Sequence, residues 1–191
     1  MPEYKDFEEK SDEELVPIVL KNQDYFVYLI ERYKTKLLYY IRRISNCSIE
    51  DAEDILQDVF IKTYTNLNNF DINLKFSSWI YRITHNQVIS NYRKLKARPQ
   101  SISLGVDDNF LENIASSLDI TKEVELQFLK ERIDDTLKKL DIRYREVLVL
   151  KFLEEKDYKE ISDILKKPMG TVATLINRAK KQFKDKVKKY E

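Results

Sequence analysis

Apolar residues recur along this chain at intervals of three and four, the spacing of a helix face rather than the alternation of a strand. Phe26, Leu29, Ile30, Tyr33, Leu37, Ile41 and Ile44 share one such face and predict a long amphipathic helix. Before it, Ser11-Asp12-Glu13-Glu14 has the form of a capping-box start, so a first helix runs to about Asn22. Asn46-Cys47-Ser48 interrupts the long helix, and a further helix starts at Ser48. Its core face is Ala52, Ile55, Leu56, Val59, Phe60, Thr63 and Leu67. The polar, Asn-rich stretch 68–75 reads as a loop. Ser77-Ser78 opens the next helix, through Trp79, Ile83, Val88 and Tyr92, ending near Arg98-Pro99.

From Pro99 to about Thr121 the periodicity fades, and Ser, Asp, Asn and Gly105 accumulate as in a linker. Leu126 to Leu140 and Arg143 to Leu153 then predict two more helices. Asp157-Tyr158-Lys159-Glu160 is another capping-box start, followed by the short apolar face Ile161, Ile164 and Leu165. Lys166-Lys167-Pro168-Met169-Gly170 breaks it, and a last helix runs from about Gly170 with Val172, Leu175, Ile176, Ala179, Phe183 and Val187 inward. The opposite face carries Thr171, Thr174, Asn177, Arg178, Lys180, Lys181 and Lys184. A short helix, a tight turn and a second helix with a polar, basic outer face is the form of a helix-turn-helix offered to a DNA major groove.

The expected fold is therefore all-α: two small helical domains, 1–98 and 128–191, joined by a flexible acidic linker, 99–127. Two glycines and four prolines against 35% charged residues agree, because β-rich folds need many tight turns. No apolar run is long enough to span a bilayer, and the polar N-terminus is unlike a signal peptide. A single cysteine, Cys47, excludes an internal disulfide and a Cys-rich zinc site. These features point to a soluble, cytoplasmic protein with no membrane insertion.

Net charge is only +1, but it is unevenly distributed. Residues 1–58 carry −6, 76–98 carry +5 with no acidic residue, 99–127 carry −5 and 128–191 carry +6. Two basic blocks separated by acidic ones suggest two distinct anionic contacts. The first block mixes aromatics, amides and cations: Phe70, Asn73, Lys75 and Phe76, then Trp79, Arg82, Asn86, Arg93, Lys94, Lys96 and Arg98. Such a mixture suits unstacked single-stranded DNA, where pocket walls hold a base, amides read its edge and cations follow phosphates. Trp79 shares a face with Ile83 and reads as core, whereas Arg82 and Asn86, four apart and polar, read as functional. A third cluster, Asp51, Glu53, Asp54, Gln57 and Asp58, is acidic. The helix dipole accounts for its first turn but not for Gln57 and Asp58, so this face suggests a protein partner.

These residues resemble a known family. The run from Asp51 to Phe60, the run from Phe76 to Ile83, and Asn86 with Asn91-Tyr92-Arg93 are similar to the second conserved region of bacterial sigma factors. Tyr158-Lys159-Glu160-Ile161-Ser162, Gly170-Thr171-Val172 and Asn177-Arg178-Ala179-Lys180-Lys181 resemble their fourth region. The short chain resembles the extracytoplasmic-function group of the sigma-70 family. The resemblance implies an RNA polymerase sigma factor that directs promoter-specific transcription initiation. Asp51, Asp54, Gln57 and Asp58 would meet the polymerase core, at the clamp helices of its largest subunit. Phe70, Asn73, Lys75, Phe76, Arg82 and Asn86 would capture a flipped base of the minus-ten element, with Arg93, Lys94, Lys96 and Arg98 on nearby phosphates. Thr171, Ala173, Thr174, Asn177, Arg178 and Lys181 would read the minus-thirty-five element, with Lys151, Tyr158 and Lys159 on its backbone. The expected partners are RNA polymerase core and promoter DNA, and family members are often sequestered by an anti-sigma factor. The family commonly has basic residues where this chain has Ala173 and Leu175, which leaves readout to Thr174, Asn177 and groove shape.

Two other readings are weighed against this one. A stand-alone helix-turn-helix regulator explains the C-terminal helices but leaves the Phe70–Arg98 cluster unused. An enzyme with a carboxylate-bound metal pair wants Glu-x-x-His pairs on facing helices, and the one histidine, His85, has no such pairing. No catalytic constellation, metal site or cofactor loop is expected.

Overall fold

The computed structural model of the chain describes residues 9–96 and 132–187; within the first segment, side chains are described to Lys94. The linker expectation and Arg98 lie outside these residues, as does the side chain of Lys96.

Local sequence sets most helix ends. α1, Asp12–Lys21, begins as its capping box requires: Ser11 Oγ accepts the Glu14 amide and the Ser11 amide donates to Glu14. After a short 3₁₀ turn, α2 spans Phe26–Ser45 and stops at Asn46, which takes the left-handed conformation that Asn tolerates better than most residues. α3, Ile49–Thr65, starts under the Ser48 hydroxyl, which accepts the Asp51 amide. α4 spans Phe76–Lys96 and begins slightly earlier than Ser77 for a tertiary reason. The Phe76 amide donates to the Glu13 carboxylate of α1 at 2.7 Å, a cap supplied from 63 residues away.

In the C-terminal segment, residues 132–138 are helical, within the expected Leu126–Leu140 helix, most of whose start lies outside the described residues. The expected Arg143–Leu153 helix is two pieces: α5, Ile142–Leu148, and a π-helical turn over Val149–Leu153. The wider turn is closed by the Glu154 amide donating to the Val149 carbonyl at 3.0 Å. α6, Tyr158–Leu165, carries the Asp157/Glu160 capping box and ends at a left-handed Lys166. α7, Met169–Val187, completes the helix-turn-helix. Among the described residues there is no strand.

α3 packs on α2 and α4, and α5 packs on α7. The two described segments also pack on each other, α4 against α6 and α2 against α5, so buried apolar side chains from both form one cluster. Tyr40 and Tyr81 lie at its centre with ring centroids 5.1 Å apart.

Candidate polymerase and promoter interface

Three exposed polar faces stand on this scaffold. On α3, burial of Ala52, Ile55 and Val59 turns Asp51, Asp54, Gln57 and Asp58 outward, and all four are exposed. Asp58 is also held from behind. The buried Gln87 of α4 donates Nε2 to Asp58 Oδ2 at 2.7 Å and accepts Lys62 Nζ on its own Oε1. Gln87 escaped the sequence reading because a lone amide inside a helix carries no positional signal.

The second face joins the 70–75 loop to α4. Asp71 organises the loop: its Oδ1 accepts the Asn73 amide and side-chain Nδ2, at 3.0 and 2.9 Å, and its carbonyl accepts the Leu74 amide. Asn73 and Lys75 are exposed. Phe70 and Phe76 differ from expectation. Phe76 has no exposed surface and Phe70 only 7%, in an aromatic cluster with Trp79 and Tyr33 at centroid distances of 5.3–5.6 Å. A ring with both faces covered offers no platform to a base, so the two phenylalanines support the loop from beneath. The apolar side chains that the loop exposes are Ile72 and Leu74. On α4, Asn86, Arg93 and Lys94 are exposed beside an open cleft with His85, Ile89 and Ser90. Arg82 is half-buried, its Nε donating to the Asp163 carbonyl at 2.7 Å.

His85 belongs to the interior. Its Nδ1 lies 3.4 Å from the Tyr40 hydroxyl and its Nε2 3.8 Å from Glu146, and burial lowers its pKa to about 4, with Lys167 acting in the same direction. Burial raises Glu146 to about 7 against the opposing pull of Lys167. Around neutral pH the histidine is therefore uncharged, and the His85–Glu146 contact is not an ion pair.

The third face is the outer side of α7. Val172, Ile176 and Ala179 are buried, which leaves Thr171, Thr174, Asn177, Arg178 and Lys181 exposed and Ala173 half-buried among them. Leu175 is partly buried against the core, so it belongs to the scaffold. Thr174 Oγ1 donates to the Gly170 carbonyl at 2.9 Å, which fixes its rotamer. Tyr158 and Lys159 are exposed at the start of α6. Lys151 is half-buried and folds inward, its Nζ 5.3 Å from the Tyr158 ring centroid and 3.3 Å from the Lys156 carbonyl.

A helix-turn-helix with an exposed basic recognition helix, packed on a second helical domain with its own cationic helix, defines a DNA-binding protein of the transcription machinery. Residues 29–98 match sigma-70 region 2 and residues 130–183 match sigma-70 region 4. The chain is 33% identical to the ECF RNA polymerase sigma factor SigW of Bacillus subtilis, over 87% of this chain and 91% of that protein. It is 30% identical to the ECF RNA polymerase sigma-E factor of Escherichia coli, over 94% and 96%. In fold it is similar to CnrH, solved in complex with the cytosolic domain of CnrY, with a TM-score of 0.71, 23% identity, and coverage of 95% of this chain and 100% of that one. The chain belongs to the extracytoplasmic-function group of the sigma-70 family. It is an RNA polymerase sigma factor, a transcription initiation factor whose partners are core polymerase and promoter DNA. Among the described residues no helix is long and apolar enough to cross a membrane.

Proposed function

We propose that the three faces divide the work of initiation. Asp51, Asp54, Gln57 and Asp58 dock on core polymerase, with Asp58 oriented by Gln87. The loop residues Asn73 and Lys75, with Arg82 and Asn86 of α4, capture an unstacked base of the minus-ten element, while Arg93, Lys94, Lys96 and Arg98 lie along adjacent phosphates. Phe70 and Phe76 shape that loop rather than touch DNA. Thr171, Ala173, Thr174, Asn177, Arg178 and Lys181 meet the minus-thirty-five element, with Tyr158, Lys159 and a swung-out Lys151 on its backbone. Domains 1–98 and 128–191 thus take one promoter element each, joined by 99–127.

The protein does its work by binding alone, without catalysis or a cofactor, in the cytoplasm. CnrH was solved with the cytosolic domain of CnrY, and the sigma factor RpoE from Bartonella quintana with the anti-sigma factor NepR; an anti-sigma factor is a further partner of this chain.

The observation that carries the reading is the exposure of Asn86, Arg93 and Lys94 on α4 together with that of Asn177, Arg178 and Lys181 on α7. Permanganate footprinting on a promoter transcribed by the reconstituted holoenzyme tests it. Asn86→Ala is expected to reduce reactivity of minus-ten thymines while duplex binding at minus-thirty-five persists. Unchanged reactivity would overturn the assignment of base capture to this face.

A further inference from the structure

The first two turns of α7 are neutral: residues 169–176 include no charged side chain, and the cations begin only at Arg178. In a helix-turn-helix, the residues near the start of the second helix are the ones that reach base edges. This chain therefore meets the bases with small, uncharged groups. Gly170, Thr174, Asn177 and Lys181 follow one another at steps of four, three and four, so they form one row, and all four are exposed. The first two members of that row are chemically unusual for a groove-facing position.

Thr174 is exposed, yet its hydroxyl proton is not offered outward. Oγ1 donates to the Gly170 carbonyl at 2.9 Å, the bond that a helical threonine makes one turn back along its own helix. With that proton committed, the hydroxyl cannot donate to thymine O4 or to the N7 and O6 acceptors of guanine. The side-chain group left for a base edge is the γ-methyl, Cγ2. Gly170, one turn before it, has no internal reason to lack a side chain. Its φ is not in the left-handed region, and a Cβ placed there would meet no atom within 4 Å. Glycine is less favourable than alanine in a helix, so the bare backbone at Gly170 points to something outside the chain that approaches it closely.

A methyl group over an open stretch of backbone complements one major-groove feature, the 5-methyl group of thymine. We propose that Thr174 Cγ2, next to the bare Gly170, seats the 5-methyl group of one thymine in the minus-thirty-five element. Given the placement of α7 at that element, on which this contact depends, Thr174 selects a T·A pair by apolar contact. Gly170 lets the helix come near enough for the two methyl groups to touch, at about 4 Å. The competing partner is an adenine or cytosine amine, which would donate to the lone pairs that Thr174 Oγ1 retains.

The test uses holoenzyme reconstituted from the full chain and core polymerase. Its probes are minus-thirty-five duplexes recovered from a randomised promoter library, with each thymine replaced in turn by deoxyuridine, which lacks only the 5-methyl group. At one thymine the replacement is expected to weaken binding about fourfold, the worth of one buried methyl group. Thr174→Ser keeps the hydroxyl and loses the methyl group, so it should bring that ratio to about one. Thr174→Val keeps the methyl group and loses the hydroxyl, so it should retain the ratio. Gly170→Ala should raise the thermal midpoint of the free chain, since its methyl group has space, while it lowers duplex affinity. The deoxyuridine series on the unmutated protein needs no variant to fold. The contact is overturned by deoxyuridine tolerated at every position, by a ratio that survives Thr174→Ser, or by a ratio that Thr174→Val abolishes. The last of these would assign the amine instead. In all three cases an enriched minus-thirty-five sequence still stands. Failure of the underlying placement of α7 looks different: the library yields no enriched minus-thirty-five sequence, with or without thymine.

Discussion

Gln87 Nε2 donates to Asp58 Oδ2 at 2.7 Å, which joins the exposed carboxylate face of α3 to the helix that carries Asn86. A charge-assisted hydrogen bond from a buried amide fixes the direction in which an exposed carboxylate points. Gln87→Leu keeps the volume and removes the bond. It should weaken core polymerase binding by about tenfold, in keeping with the loss of one hydrogen bond to a charged group. Gln87→Glu, which sets a carboxylate against Asp58, should weaken it further. Equilibrium binding of labelled protein to core checks both, and unchanged affinity for both would remove Gln87 from the docking face.

Arg145 is predicted to matter for stability far more than its surface suggests. Its guanidinium donates to the carbonyls of Leu137, Lys138, Leu140 and Ile44, and only 8% of the residue is exposed. Arg145→Met should cost about 2–4 kcal/mol in urea denaturation, because it strands buried carbonyls that water cannot reach. Arg82→Ala, at a half-buried site with one such bond, should cost about 1 kcal/mol and act chiefly on strand opening.

A pH-dependent effect is expected at Glu146. Burial raises its pKa from 4.5 to about 7 in the folded chain. The stabilising protonated form is fully present below about pH 4.5 and is lost as the pH rises through about 7. Glu146→Gln removes that loss, so relative to the unmutated chain it should gain about 1–3 kcal/mol between about pH 5 and pH 8. His85 acts in the opposite sense. Its folded pKa of about 4 lies below the ordinary 6.5, so its contribution is present above 6.5 and lost as the pH falls towards 4. The two partly cancel in the unmutated protein, which is why the single variant is the informative one. Denaturation of the variant and the parent at both pH values provides the check, and an equal difference at each would refute a raised Glu146.

In the helix-turn-helix, specificity and affinity should separate. Asn177→Ala is expected to relax preference at particular minus-thirty-five positions by about 1–3 kcal/mol. Lys159→Ala, at an exposed position at the start of α6, should weaken binding to all sequences alike and reduce the slope of log affinity against log salt by about 1. A salt titration on duplex DNA separates the two outcomes, and a sequence-selective effect of Lys159→Ala would contradict its proposed contact with the DNA backbone.

The parts of this fold that were legible in the sequence are those set by neighbours along the chain. Ser11 with Glu14 and Asp157 with Glu160 lie three residues apart, so their capping boxes could be read directly. The buried faces of α2 and α7 followed from helical spacing for the same reason. What escaped depends on residues far apart. The cap that Glu13 gives Phe76 crosses 63 positions, and the bond from Arg145 to Ile44 crosses 101. Phe70 and Phe76 illustrate a second limit. An aromatic residue in a polar loop suits a base platform and a loop anchor equally well, and only the covering by Tyr33 and Trp79 decides between them. The π turn after Leu148 was hidden because its apolar run continues the helical pattern unbroken.

The central claim, that this chain brings core polymerase to a promoter and opens it there, is tested most directly by transcription in vitro from a library of promoter sequences, with core polymerase and the purified protein. Transcripts should arise from a defined subset of templates only when the protein is present, and Asn86→Ala should abolish most of them while the minus-thirty-five region stays occupied. Purified protein that binds core yet initiates from no template, or an Asn86→Ala variant that initiates as well as its parent, would contradict it.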